Sequence, residues 1–281
     1  MNGLIFHRYH GLGNDYLVCQ RSVADRLTNQ QIQRICDRHY GLGSDGLLID
    51  IDDLDIPTLR IINPDGSEAE KSGNGLRIYA RYLFDTGRVA NLPFYVNTLG
   101  GRVRCEVKED GHKIIVDMGQ ANFTPSALPA LVEGDEALAL PLPIDGHKLN
   151  ATLVSMGNPH CVIQVKTLDL ALVKELGGTI ETLPIFPKRT NVQFVEVQDR
   201  NNIRIGIWER GAGYTLASGS SSCAAASAMR RLGLVDDKVT VHMPGGQLAI
   251  SFSGDFQVRM SGPVQKVSIS NLDEDCFFDL G

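Results

Sequence analysis

The 281-residue chain has no apolar run of the 18 or so residues that a membrane-spanning helix takes, so a membrane is not an expected partner. Its opening, Met1-Asn-Gly-Leu-Ile-Phe-His-Arg-Tyr-His10, has no basic stretch followed by an apolar segment, so no secretory signal is read and the cytoplasm is the expected compartment. The six cysteines, Cys19, Cys36, Cys105, Cys161, Cys223 and Cys276, contain no C-x-x-C pair, and their spacing suits neither zinc nor a disulfide framework. Cys19 and Cys161 sit in apolar runs and read as small buried hydrophobes. The seven histidines form no H-E-x-x-H spacing, and no metal site is expected. Basic residues number 27 against 33 acidic, a net charge of −6, which argues against a polyanion binder and so against nucleic acid. At 43% apolar and 21% charged the chain is too apolar for disorder. What is abundant is glycine, 29 residues, which predicts many positions of positive φ or close approach. The length predicts two domains, with a core large enough to do without disulfide or metal staples.

Short β-branched runs predict strands at Leu4–Tyr9, Tyr16–Cys19, Leu47–Ile51, Leu59–Asn63, Phe94–Thr98, Arg102–Val107 and Lys113–Met118. Gln30–Arg38 reads as a helix capped by Thr28 or Asn29. Asn74–Asp85 reads as another, with Leu76, Tyr79, Ala80, Leu83 and Phe84 near a period of 3.6 and Gly87 past its end. The second half repeats the plan. Strands are predicted at Leu153–Ser155, Cys161–Val165, Asn191–Val197, Ile203–Trp208, Lys238–His242, Leu248–Ser253 and Phe256–Met260, and helices at Leu168–Leu176 and Ser220–Leu232. Ala121–Gly146, with four prolines, reads as a linker between the halves.

The halves can be laid on each other. Asn14-Asp-Tyr matches Asn158-Pro-His, and Arg60-Ile-Ile matches Arg204-Ile-Gly, each 144 positions on. Ser72-Gly-Asn-Gly matches Ser218-Gly-Ser-Ser 146 positions on. Repeats this long are domains, so the pattern reads as an internal duplication. One decoy falls away: Gly41-Leu-Gly-Ser-Asp-Gly46 fits G-x-G-x-x-G, but it follows no strand and leads into one, where a dinucleotide fingerprint must open a helix.

Each half has a strand, a Gly-rich loop, then Ser-Gly-x-[Gly/Ser] at a helix start, with a polar residue nine positions before the Ser: Asn63 and Glu209. Singly, Ser72 and Ser218 read as helix N-caps. Together, at one register in duplicated halves, they read as a site. A helix tip has free N–H groups and a partial positive charge. Two tips facing across a cleft would bind one carboxylate, with a Ser on either side of the bound molecule. Arg210 beside Glu209 suits a zwitterion, Arg gripping a carboxylate and Glu an ammonium. Asn14, Asn158 and Asn191 stand at turn-to-strand boundaries, where each alone reads as a turn residue. His160, in Gly157-Asn-Pro-His, reads equally as structural or functional.

These motifs resemble the diaminopimelate epimerase family over nearly the whole chain. The residues that carry the likeness are His10-Gly-Leu-Gly-Asn-Asp15, Asn63-Pro-Asp-Gly-Ser-Glu, Ser72-Gly-Asn-Gly-Leu-Arg77, Met156-Gly-Asn-Pro-His160, Arg189-Thr-Asn-Val192, and Glu209-Arg-Gly-Ala-Gly with Gly219 and the Cys-Ala-Ala-Ala helix. The resemblance implies an α/β (α+β) fold of two pseudo-symmetric domains. Each would be a barrel-like, mostly antiparallel sheet around a central helix, with the active site in the interdomain cleft. The expected limits are residues 1–120, with 262–281 packing back on them, and residues 121–261. It also implies an isomerase without cofactor that interconverts L,L- and meso-diaminopimelate, a small zwitterionic amino acid, for lysine and peptidoglycan synthesis. A homodimer is an assembly the family allows. By the same likeness Asn14, Asn63, Asn158, Asn191, Glu209 and Arg210 would hold the distal amino and carboxylate groups. The amides of Gly73-Asn74 and Gly219-Ser220 would hold the reacting α-carboxylate.

The chain departs from the pattern where the chemistry sits. The family's two catalytic Cys, one a thiolate that takes the α-proton and one a thiol that returns a proton on the other face, fall on Ser72 and Ser218. A thiol pKa of roughly 8.5 drops toward neutrality at a helix N-terminus. An alcohol is a far weaker acid, and a helix tip contributes only about 0.3–2 kcal/mol. No neighbouring base replaces the missing acidity unless His160 reaches in as an accessory. Gly46 stands where many members have Gln, and Tyr214 where Glu is usual. The expectation is an epimerase with Ser72 and Ser218 in the acid/base positions. The alternatives are a silent or engineered Cys-to-Ser homologue that binds an amino acid, and a racemase or dehydratase for another amino acid.

Overall fold

The structure, a computed structural model, describes residues 3–51 and 54–280. Met1 and Asn2 of the opening segment read above lie outside the described residues. The chain forms two compact units, Met1–Val116 with Gly262–Gly281, and Asp117–Ser261. In chain order the first passage has β1 (Leu4–Gly11), β2 (Asn14–Gln20), α1 (Arg21–Ala24), α2 (Asn29–Cys36), β3 (Leu47–Ile51), β4 (Thr58–Ile62), β5 (Glu68–Ala69), α3 (Gly73–Asp85), β6 (Phe94–Thr98), β7 (Gly101–Lys108) and β8 (Lys113–Gln120). The second has β9 (Leu140–Pro141), β10 (Asn150–Ser155), β11 (Pro159–Val165), α4 (Leu170–Glu181), β12 (Asn191–Asp199), β13 (Asn202–Glu209), β14 (Gly213–Thr215), α5 (Gly219–Arg231), β15 (Lys238–Met243), β16 (Gly246–Ser253) and β17 (Gln257–Gly262). A last strand, β18 (Gln265–Leu272), returns to pair antiparallel with β1.

The duplication is written in the pairings. In unit one β1–β2 is antiparallel, β2–β3 parallel, β3–β4 antiparallel, β4–β6 parallel and β6–β7 antiparallel. In unit two β10 to β13, then β15 and β16, repeat that succession of senses. The fold is α/β with mostly antiparallel sheet, as expected, although no pairing among the described residues closes either sheet into a ring. The registers also correct one correspondence. Leu47 pairs with Ile62 and Val192 with Trp208, so Ile62 answers to Trp208 and Arg60 to Gly206, not Arg204. The offset at this point is the 146 of the two serines, and the motif of like sequence was two residues out of step.

Each unit packs its sheet on one long helix. In α3, Asn74 through Ala80 are all buried, and α3 lies on β1, β2 and β7. In α5 nearly every residue is buried, against β10, β11, β12, β13, β15 and β16. Alanine suits that place, because it favours helix and lets strands approach on all sides. The hydroxyls of Ser222 and Ser227, buried in α5, donate back to the carbonyls of Ser218 and Cys223. The hairpin before Asn14 turns through Leu12 (φ 58) and Gly13 (φ 89), the pair of left-handed residues a two-residue hairpin needs.

Two expectations are corrected. The stretch 121–146 is not a linker: Leu128, Ala137, Leu142 and Ile144 lie in the core of unit two, and β9 pairs with β10. Its prolines break regular structure, yet its apolar residues still bury. The predicted helix Leu168–Leu176 runs from Leu170 to Glu181 instead, straight through Gly177-Gly178. Those glycines are there for contact, since a Cβ on Gly177 would come 2.6 Å from the Trp208 ring. As expected, Gly41–Gly46 opens no helix and leads into β3. Among the described residues no helix is long and apolar enough to cross a membrane.

Candidate functional site

In unit one Ser72 is the N-cap of α3, with extended φ/ψ of −136° and 122°. Its hydroxyl oxygen accepts from Gly75 N at 3.0 Å, and its carbonyl accepts from Leu76 N at 2.9 Å. The amides of Gly73 and Asn74 are then the two of the first turn that no hydrogen bond among the described residues uses. The Tyr16 hydroxyl stands 3.5 Å from Ser72 Oγ. Behind this tip runs a polar network. Arg77, fully buried, donates to Asn74 Oδ1, and Asn74 Nδ2 donates to Asn14 Oδ1 at 3.0 Å. Asn14 Nδ2 donates in turn to Asp45 at 2.7 Å. Gly11 leaves room for Arg77, whose Nη2 would lie 2.8 Å from a Cβ there.

Asp45 gives the rejected glycine loop its purpose. Its carboxylate takes Asn14 Nδ2 and Asp15 N, and Arg38 bridges it to Asp15, which also holds Arg8. Gly46 has φ +148°, and a Cβ there would meet Ile62 O at 2.5 Å, so this backbone path leaves no room for a side chain. Asn63 closes a turn after β4, donating from Nδ2 to Ser67 Oγ at 3.0 Å; no hydrogen bond ties it to Asn14, Ser72 or Asn74.

In unit two Ser218, buried, caps α5 with φ/ψ of −149° and 130°. Its hydroxyl oxygen accepts from Ser221 N at 3.5 Å and its carbonyl from Ser222 N at 3.1 Å. No hydrogen bond among the described residues uses the amides of Gly219 and Ser220, as in unit one. The serines are helix caps, as each reads singly, and each stands at a tip with two N–H groups that no hydrogen bond among the described residues uses. Glu209 Oε1 accepts from the Thr215 hydroxyl at 2.8 Å. Arg210 is exposed. Its backbone N donates to Asn191 Oδ1 at 3.0 Å, while Asn191 Nδ2 donates to Pro159 O at 2.9 Å. Asn191 is buried and ties β11 to the loop that carries Arg210. The same loop is held from α4, because Glu181 accepts from Gly211 N at 3.0 Å and from Trp208 Nε1 at 2.8 Å. The helix end that sequence reading cut short is therefore the part that positions Glu209-Arg210. Tyr214 packs at the edge of the unit-two core with Lys174 Nζ 4.6 Å from its ring centre.

His160 is buried, with Nε2 3.0 Å from Asn158 Oδ1. Burial, with Arg210 adding to it against the contact of Gln193, pushes its pKa down to about 3. The ring is neutral and weakly basic, a poor acceptor for a carbon-bound proton. Burial drives the Cys19 thiol up to about 12 and the Cys161 thiol up as well, so neither supplies a thiolate. Sequence reasoning missed Tyr16, Asp45, Glu181, Gln193 and Ser221. One signal was present: Gln193 interrupts the apolar run of β12, where a polar residue must have a partner.

The diaminopimelate epimerase family model matches residues 6–124 and 152–267, one segment in each half. Diaminopimelate epimerase 2 of Nostoc sp. is 44% identical over 275 residues, covering 97% of this chain and 96% of that protein. The diaminopimelate epimerase of Desulfitobacterium hafniense is 39% identical over 276 residues, covering 95% and 98%. Among solved structures, a hydroxyproline epimerase from Agrobacterium vitis has a TM-score of 0.67 at 13% identity, covering 95% of this chain and 90% of that one. A PhzF-family phenazine biosynthesis protein from Bacillus anthracis has 0.70 at 15%, covering 97% and 99%. At such identities the two structures share the fold alone. The sequence matches run through both halves and through both serine-capped helix tips, and the chain belongs to the diaminopimelate epimerase family.

Proposed function

We propose that the protein is a cofactor-independent amino-acid isomerase acting on diaminopimelate, with Ser72 and Ser218, the caps of α3 and α5, as its acid/base pair. The observation that carries this is the repetition of one device in both units of a chain of this family: a serine cap followed by two amides with no partner among the described residues. Amides of Gly73, Asn74, Gly219 and Ser220 suit the α-carboxylate, whose charge the helix tips favour. Glu209 suits the distal ammonium. Arg210, with Asn14, Asn63 and Asn158, suits the distal carboxylate and its surroundings. Asn191 serves through the backbone it ties, as a positioning residue. In the reaction one base removes the α-proton and the acid opposite delivers another, so the pair ends with its protonation reversed.

The hydroxyl pair favours a second reading, binding without turnover, because neither tip lowers an alcohol's pKa to the thiol range. Calorimetric titration tests the ligand. L,L-Diaminopimelate should bind at least about tenfold more tightly than L-lysine, which lacks the second carboxylate. Equal affinities would contradict the assignment. Binding without α-hydrogen exchange in D2O would select the second reading.

A further inference from the structure

Behind the tip of α5 lies a set of polar side chains that unit one lacks. Pairing of Leu17 with Leu47, and of Cys161 with Val192, makes Tyr16 the counterpart of His160 and Leu48 that of Gln193. The matched serine caps make Gly75 the counterpart of Ser221. His160, Gln193 and Ser221 are 1%, 0% and 0% exposed. His160 Nε2 lies 3.0 Å from Asn158 Oδ1, the Gln193 side chain faces the ring, and Gln193 Nε2 is placed to donate to Ser221 Oγ at 3.0 Å. With an oxygen of each amide toward the ring, His160 Nδ1 and Gln193 Oε1 both stay unpaired in the interior. A neutral imidazole has one N–H, so one of the two amides must offer it nitrogen.

Ser221 decides which. Gln193 is its one side-chain partner. If Gln193 donated to Ser221, the buried hydroxyl hydrogen would have no acceptor among the described residues, which is costly. Turning the Gln193 amide over, so that its oxygen and nitrogen change places, lets the hydroxyl donate to Gln193 Oε1 and Gln193 Nε2 donate to His160 Nδ1, and the ring's proton then sits on Nε2 and goes to Asn158 Oδ1. Both unpaired atoms are satisfied by this one assignment. We infer that Ser221, Gln193 and His160 form a one-way hydrogen-bond relay that fixes the Asn158 amide with its NH2 group outward, making Asn158 a donor to a substrate carboxylate. The identity of that carboxylate as diaminopimelate's rests on the proposed function, whereas the relay does not. Gln193 and Ser221 act through His160 and are positioning residues.

Nitrogen-15 NMR of the full chain reads the tautomer directly. The unsubstituted protein should show His160 protonated on Nε2 alone, and a proton on Nδ1 would overturn the relay. The double substitution Gln193→Leu, Ser221→Gly copies the apolar pair of unit one, so it should still fold. It should release the ring into a mixture of tautomers and weaken L,L-diaminopimelate binding about tenfold. A ring still locked as Nε2–H, or a scrambled ring with unchanged affinity, would contradict the inference. If the unsubstituted protein shows the expected tautomer but does not bind diaminopimelate, the functional reading fails and the relay stands.

Discussion

A hydroxyl that caps a helix uses a lone pair on a backbone amide and keeps its hydrogen to give away. Ser72 and Ser218 are in that state, accepting from Gly75 N and Ser221 N. As alcohols they are poorly suited to hold a negative charge. No cysteine elsewhere takes over, because Cys19, Cys36, Cys105, Cys161 and Cys223 are all buried and only Cys276 is partly exposed. An aromatic disulfide reagent should therefore titrate one thiol quickly in the folded protein and the other five only on unfolding. The Cys276→Ser variant should lose the fast phase, and a second fast thiol would contradict the burial described. The serines were legible in the sequence because duplication set one against the other. The relay was not, because nothing in the string Asn191-Val-Gln-Phe says which side of β12 meets α5.

Elements were most legible where a single period governs them. Short β-branched runs marked β3 and β6 to the residue, and the 3.6 spacing of Leu76, Tyr79 and Leu83 marked α3. Where contact overrides local preference the reading failed. Gly177-Gly178 looks like a stop, yet the helix runs on because the Trp208 ring occupies the space a side chain would need. Gly177→Ala should push α4 away from β13 and cost about 1–3 kcal/mol, the usual range for overpacking. Trp208 is the chain's single tryptophan, so its fluorescence reports the change. The urea midpoint should fall and the emission move to the red, and an unchanged midpoint would refute the contact. The capping box of α2 offers a smaller effect. Thr28 Oγ1 takes Gln31 N and Gln31 Oε1 takes Thr28 N, and Thr28→Ala should lower stability by about 1 kcal/mol in denaturant unfolding.

At the scale of the molecule, the repeated order of pairings, the two capped helices and the return of β18 to β1 make two like units out of one chain. Burial of His160 gives unit two a pH dependence of definite sign. Its folded pKa of about 3 lies below the ordinary 6.5, so between those values the unfolded chain binds the extra proton. Stability is complete above about pH 6.5 and falls as pH drops toward 3, by about 2 kcal/mol at pH 5 from this group. Urea unfolding followed by Trp208 should show that slope, and His160→Gln should flatten it. The central claim is that two hydroxyls stand where this family's proton-transfer groups act. The direct measurement is loss of the α-hydrogen of L,L-diaminopimelate in D2O, followed by proton NMR, for the protein as it is and with Ser72→Cys and Ser218→Cys together. Installing both thiols should speed exchange by at least about a hundredfold, the lower range of acid–base catalysis, and yield both epimers. A folded double variant that exchanges no faster would contradict the account.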